Sequence, residues 1–400
     1  MNAAVRAAAV AVSLAVIAAT SWAEEGALEV CKNHYILRCQ TASFEWTAAA
    51  APLLSHNDGA SATLLEDGRV LVVGGASSGG GAEIYDPAID RWTLAAPMNV
   101  MRMHHRAVRL LDGRVLVVGG DYVFLGNVST TAEIYDPAID AWSLAPPLNS
   151  QRRRGRRDLT ANLLPDGRVL VTGGSNAPWV ELTEFAETEI YDPATGTWRA
   201  TGSLASARMG HTATTLADGT VLVFGGLLEG LRGLLDDLEG AFTPTAELYD
   251  PVSGAWRTLG PVPPRVNHTA TLRADGKVLV AGGESWPPES AGESFLYDPV
   301  KGETASHATL ALPRFGHVAV AIPGGVLVVG GGRLDQMAEW HGYPTARVER
   351  SERYDADSRT WSTIEEIGDP PHEPYSATHL GKGRILFIGP WGAHLLRYEP

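Results

Sequence analysis

The chain has 400 residues, 44% of them hydrophobic and 20% charged, the mixture of an ordinary globular protein with ample material for a large core. A formal net charge of −14 excludes a global field that would favour nucleic acid or an anionic membrane surface. The 44 glycines and 25 prolines recur along the whole length, which points to many turns and an all-β chain instead of disorder.

The first segment is a processing signal. Arg6 supplies the positive charge, residues 7–19 form a short apolar run, and Ser21-Trp22-Ala23 resembles a small-x-small cleavage site. The run is shorter than the roughly 20 residues a spanning helix needs. Residues 1–23 are therefore expected to be removed on export to a periplasmic or extracellular location, leaving no membrane span. Residues 24–43 carry the only two cysteines, Cys31 and Cys39, which an oxidising compartment is expected to join. Two cysteines this close do not make a structural zinc site alone.

From residue 44 onward the chain repeats. Asp67-Gly68-Arg69-Val70-Leu71-Val72-Val73-Gly74-Gly75 returns at 112–120 and 166–174, more loosely at 218–226, 275–283 and 324–331, and in worn form at 382–389. Asp-Gly predicts a two-residue hairpin turn, and the apolar run after it a buried strand. The Gly-Gly that ends the run allows close backbone approach or an unusual φ/ψ. A second signature follows each copy, as in Ala82-Glu83-Ile84-Tyr85-Asp86-Pro87 with Trp92. Its tyrosines, Tyr85, Tyr135, Tyr191, Tyr249, Tyr297, Tyr354 and Tyr398, recur about every 50 residues, a spacing that marks propeller blades of four short strands. The last tyrosine has no room for a fourth strand, while Phe44-Glu45-Trp46-Thr47 is a fourth strand with no first three. Residues 44–400 thus predict a propeller of seven four-stranded antiparallel blades, closed by the N-terminal strand completing the last blade.

The combination of Gly-Gly, Tyr-Asp-Pro and a tryptophan five residues on resembles the kelch-repeat β-propellers of the galactose-oxidase central-domain type. That resemblance implies three readings. Galactose oxidase builds a copper-radical site with a cysteine inside the propeller; both cysteines here precede residue 44, so an oxidase is disfavoured and neither metal nor cofactor is expected. Some kelch domains that bind acidic peptides carry arginines at the channel mouth, so a protein or peptide is one expected ligand and a glycan the other. Kelch-type isomerases also exist, which keeps a carbohydrate-active enzyme, isomerase-like or oxidase-like, as the alternative to a non-catalytic monomeric binding scaffold.

Strand alternation puts the a–b and c–d turns on one face and the b–c and d–a loops on the other. The second face has the long, variable loops and is the expected binding face. Its candidates are Trp179, Trp286, Trp340 and Trp391, joined by Tyr122, Phe124 and Tyr343. The basic run at 151–157, with Arg152, Arg153 and Arg154, suits a carboxylate, sulfate or phosphate, or is a solvated loop. A repeated Arg-x-x-His gives Arg102 and His105, Arg208 and His211, Arg265 and His268, and Arg314 and His317. These either contact ligand at the channel mouth or wedge between blades, and repetition favours the packing role. The leucine-rich stretch 227–242 is expected to fold onto the propeller as a short helix.

Overall fold

The computed structural model describes residues 44–398 apart from 57–58, 122–128, 150–157, 177–182, 229–241, 286–291, 307, 334–347, 349, 365–370 and 372–373. The signal segment and the Cys31–Cys39 pair lie outside the described residues. Seven four-stranded antiparallel sheets form the propeller. Blade 1 contains Ser61–Leu64, Val70–Val73, Ala82–Asp86 and Arg91–Ala95 as strands a to d. Blade 2 starts with Arg106–Arg109, blade 3 with Thr160–Leu163, blade 4 with Thr212–Thr215, blade 5 with Thr269–Leu272 and blade 6 with Val318–Ile322. Blade 7 takes strands a to c from Ser376–Gly381, Arg384–Gly389 and Gly392–Tyr398, and strand d from Phe44–Ala48. The register of that seam sets Trp46 opposite Leu396 and Phe44 opposite Tyr398, so the N-terminal strand closes the ring.

The core is distributed between blades. Each of the seven junctions has its own apolar cluster: Leu71, Val73, Val115 and Val117 join blades 1 and 2, and Val70, Val72, Leu386 and Ile388 join blades 7 and 1. The remaining junctions repeat that arrangement. Strand b is sandwiched on both sides, which is why its four residues are all buried in blades 1 to 5 and, apart from Thr172, all apolar, as in Val70–Val73. Farther out, in blades 1 to 4 and 6 the Tyr of strand c stacks on the Trp paired with it, 5.0 Å between ring centroids for Tyr85 and Trp92. The indole N–H then donates to the chain leaving the preceding blade, Trp92 to the Ala50 carbonyl at 2.6 Å and Trp142 to Ala96 at 2.7 Å.

The a–b turn differs from the two-residue hairpin its Asp-Gly suggests. The Gly68 N–H donates to the Leu65 carbonyl and the Leu65 N–H to the Arg69 carbonyl, which makes a longer turn closed by one left-handed glycine, φ +86°. Asp67 is not left-handed; its carboxylate accepts from the Arg69 N–H and holds the turn by side-chain bonding.

Candidate binding faces

One joint, built from four repeated signatures, sets the geometry of the b–c/d–a face. At the end of strand b the chain turns through two left-handed glycines, Gly74 (φ +71°) and Gly75 (φ +97°) in blade 1. A Cβ on Gly74 would stand 2.5 Å from the Arg102 carbonyl oxygen and 2.7 Å from the His105 ring, so only glycine admits the next blade this closely. Gly173 meets Arg208 and His211 in the same way. The second glycine donates its N–H to that arginine's carbonyl, Gly174 to Arg208 at 2.9 Å and Gly226 to Arg265 at 2.8 Å.

The arginine side chains then turn back into their own blades. Arg102 donates to the Gly119 and Thr131 carbonyls, each at 2.9 Å, and to the Glu133 carboxylate at 2.8 Å. Arg208 reaches Glu247 at 2.5 Å and Arg314 reaches Glu352 at 2.6 Å, with both partners of every pair fully buried. The second carboxylate oxygen caps the incoming connection, accepting from Asn99 N at 2.7 Å, Ala205 N at 2.8 Å and Ala311 N at 2.7 Å. In blade 1, His56 stands in the arginine place, 3.0 Å from Glu83.

The histidines bind across the joint. His105 shares a hydrogen bond with Ser61 at 2.7 Å, His211 with Thr160 at 3.0 Å, His268 with Thr212 at 2.9 Å and His317 with Thr269 at 2.8 Å, in each case the first strand residue of the preceding blade. Desolvation, reinforced by the neighbouring arginine, depresses all four pKa values, His211 and His317 to about 3, so the rings are neutral. Where Leu159 before strand a of blade 3 and Tyr375 before strand a of blade 7 stand in place of the histidine, the first strand residue of the preceding blade is not a hydroxyl but Arg106 or Val318.

The structure therefore places Arg102, His105, Arg208, His211, Arg265, His268, Arg314 and His317 beneath the surface, the histidines wedged between blades and the arginine side chains folded back into their own. The Arg–Glu half of the clasp is absent from the sequence reading, although its signal, a Glu two residues before Tyr85, Tyr135, Tyr191, Tyr249 and Tyr354, is visible there.

Of the aromatic candidates, Trp391 is described. It occupies a two-residue turn between Gly389 and Gly392 and is 71% exposed. Leu53, leading from blade 7 into blade 1, and Met101, leading from blade 1 into blade 2, are exposed on the same face. Trp179, Trp286, Trp340, Tyr122, Phe124, Tyr343, Arg152, Arg153 and Arg154 lie outside the described residues, as do residues 229–241 of the leucine-rich stretch. The ends of that stretch, Leu227 and Phe242, pack on Val266 and Met209. At the channel mouth Arg106 is exposed, donates to the His105 carbonyl at 3.3 Å and lies within electrostatic reach of Asp158.

The opposite face has features that loop length does not reveal. A cleft of about 600 Å³ opens between blades 3 and 4, lined by Asp166, Arg168, Arg199, Asp218, Tyr249 and Ser253. In blades 1 and 2, Asp90 and Asp140 accept the tyrosine hydroxyl at 2.7 and 2.8 Å. Gly254 stands at that place in blade 4, so the Tyr249 hydroxyl bonds Thr201 instead, at 2.7 Å. The c–d turns also expose Ile89, Ile139, Val252 and Val300. Among the described residues no group of three or more His, Cys, Asp or Glu is placed to hold a metal.

Residues 102–149 match the family model of the Kelch motif. The chain is a kelch β-propeller. Kelch-like protein terF of Aspergillus terreus is 26% identical over 229 residues, 56% of this chain and 47% of its own length. Kelch-like protein 25 of Xenopus tropicalis is 27% identical over 221 residues, 55% of this chain and 34% of that protein. The kelch propeller thus aligns with less than half the length of these relatives. Among solved structures, a fungal alcohol oxidase of the AA5 family in complex with copper superposes with a TM-score of 0.66 at 16% identity, covering 89% of this chain and 76% of its own. YjhT superposes with a TM-score of 0.57, also at 16% identity, over 80% of this chain and 100% of its own. At that identity the likeness concerns the fold alone.

Proposed function

We propose that this kelch propeller is an exported binding scaffold that holds a protein partner on the b–c/d–a face. The observation that carries the reading is Trp391, held 71% exposed on a two-residue turn, with Leu53 and Met101 exposed in the adjoining blades. A large aromatic fixed on a rigid turn loses little conformational entropy on binding and is the kind of residue that dominates interfaces. Arg106, exposed at the start of blade 2, adds a cation on the same face for an acidic group on the partner.

Affinity capture from the extracellular fraction tests this, with wild type and Trp391→Ala side by side. The expected result is a protein retained by wild type and lost by the variant, a weakening of about 2 kcal/mol or more, with an unchanged melting temperature. Retention by Trp391→Ala and loss by Arg199→Ala would move the site to the other face. Export itself is tested by intact mass: loss of residues 1–23 and of two hydrogens for a Cys31–Cys39 bridge is expected, and a full-length reduced mass refutes it.

The cleft between blades 3 and 4 supports a second reading, a small polyhydroxylated ligand, because its volume and polar lining suit one. Titration with a saccharide panel, comparing wild type with Arg199→Ala, checks binding there. Turnover of any sugar in that panel would favour the carbohydrate-active enzyme over the scaffold.

A further inference from the structure

Blade 5 breaks the clasp in three places at once. Phe295 stands where blades 2, 4 and 6 have Glu133, Glu247 and Glu352. Pro263 and Pro264 precede Arg265, where the other blades present backbone N–H groups to that carboxylate, as at Asn99 and Val100. The connection is also one residue shorter. Val262, three residues before Arg265, makes the inward backbone bond to Pro244 that Leu204, four before Arg208, makes to Ala186.

The consequence falls on the Arg265 guanidinium, which is fully buried. Nη1 donates to the Gly282 carbonyl at 2.8 Å and the Glu293 carbonyl at 3.1 Å. The Phe295 ring lies 4.3 Å from Cζ and recovers part of the charge by cation–π attraction. Nε and Nη2 have no acceptor, whereas in blades 2, 4 and 6 the Nε reaches the Val100, Ser206 or Leu312 carbonyl and Nη2 reaches the glutamate. Burial lowers the Arg265 pKa to about 10, so the group is still cationic at neutral pH, and the Glu293 carboxylate acts on it only through space. A buried charge missing its partner is costly. The two orphaned donors share one edge of the guanidinium, the side-on fork that takes an anion with two parallel hydrogen bonds.

We propose that Arg265 binds a small monovalent inorganic anion, chloride in ordinary media, through Nε–H and Nη2–H at the blade 5 joint. Full burial favours an ion of halide size over a carboxylate ligand. A water molecule would satisfy the donors and leave the charge uncompensated. The anion performs at this joint the electrostatic role that Glu133, Glu247 and Glu352 perform at theirs.

Thermal unfolding of the full chain in sodium chloride, sodium bromide and sodium gluconate at equal ionic strength tests the site. Wild type is expected to melt roughly 1–3 °C higher in the halides. Phe295→Glu, which installs the carboxylate of the other blades, is expected to lose that difference, and so is Arg265→Met. Crystals grown in bromide should show an anomalous peak beside Arg265. Equal melting in all three salts, halide dependence that survives both substitutions, or no bromide peak would each overturn the assignment; if Phe295→Glu fails to fold, the comparison with Arg265→Met decides it.

Discussion

Blade 4 comes from one continuous stretch of chain and, besides the apolar cluster it shares with blade 3, meets that blade through polar groups: Gly173 and Gly174 against Arg208, itself clasped to Glu247 within blade 4, and Thr160 against His211. Blade 7 borrows its outer strand from the other end of the sequence, and its seam is apolar. Trp46 is buried there against Phe387, with ring centroids 5.1 Å apart, beside Phe44, Ile385 and Leu396. Both arrangements bury a blade edge, but they fail differently. A polar joint is a set of mutually dependent charges and hydrogen bonds, so removing one member harms the rest. An apolar seam tolerates exchange of shape and fails through loss of volume.

The largest expected effect is at the seam. Trp46→Ala should cost about 3–5 kcal/mol, read from urea midpoints. Trp46→Phe should cost much less, because the buried Trp46 Nε1 makes no hydrogen bond that phenylalanine would forfeit. Equal losses for the two variants would show that polar and not volume terms hold the seam.

Breaking the clasp in blade 4 comes next. Glu247→Ala leaves Arg208 charged and buried and withdraws the acceptor from Ala205 N, for an expected cost of about 3 kcal/mol or somewhat more. The double variant Arg208→Met/Glu247→Leu should lose clearly less than the sum of the single changes. Additive losses in that cycle would remove the distinction between joint and seam.

A smaller effect separates the two through pH. In the folded chain the neutral, buried His211 and His317 bind protons only near pH 3, against 6.5 when unfolded. The unfolded state therefore holds more protons between those limits, so stability is complete above pH 6.5 and is lost progressively as pH falls toward 3. His211→Asn should flatten that slope, by one histidine's share, while Trp46→Phe should leave it unchanged. An identical pH profile for His211→Asn and wild type would contradict the depressed histidine.

The architecture is legible in the sequence because every blade repeats the same local instructions, so a weak signal is read many times. Counting repeats even places Trp46, since residues 44–47 read as a fourth-strand signature and Tyr398 as a third-strand one, and the two pair in the fold. The clasp is harder to read. Arg208 and Glu247 are joined across a loop of unrelated sequence, and only the fold shows that the glutamate before Tyr249 turns inward. The cleft is harder still: Gly254, one of its lining residues, stands where blades 1 and 2 have an aspartate, and no residue type announces a site.

The pairing of Phe44–Ala48 with Gly392–Tyr398 also sets an order of events. During synthesis the first strand emerges long before its partner, and almost the entire ring must be made while it waits. Bringing such distant segments together is a late step with a large loop-closure cost. Until then blade 7 presents an open strand edge of the kind that invites pairing with other chains. Amides of residues 44–48 and 392–398 should accordingly be the last to gain protection in pulse-labelled hydrogen exchange during refolding. Early protection of that pair, ahead of blades 2 to 5, would place the seam at the beginning of assembly.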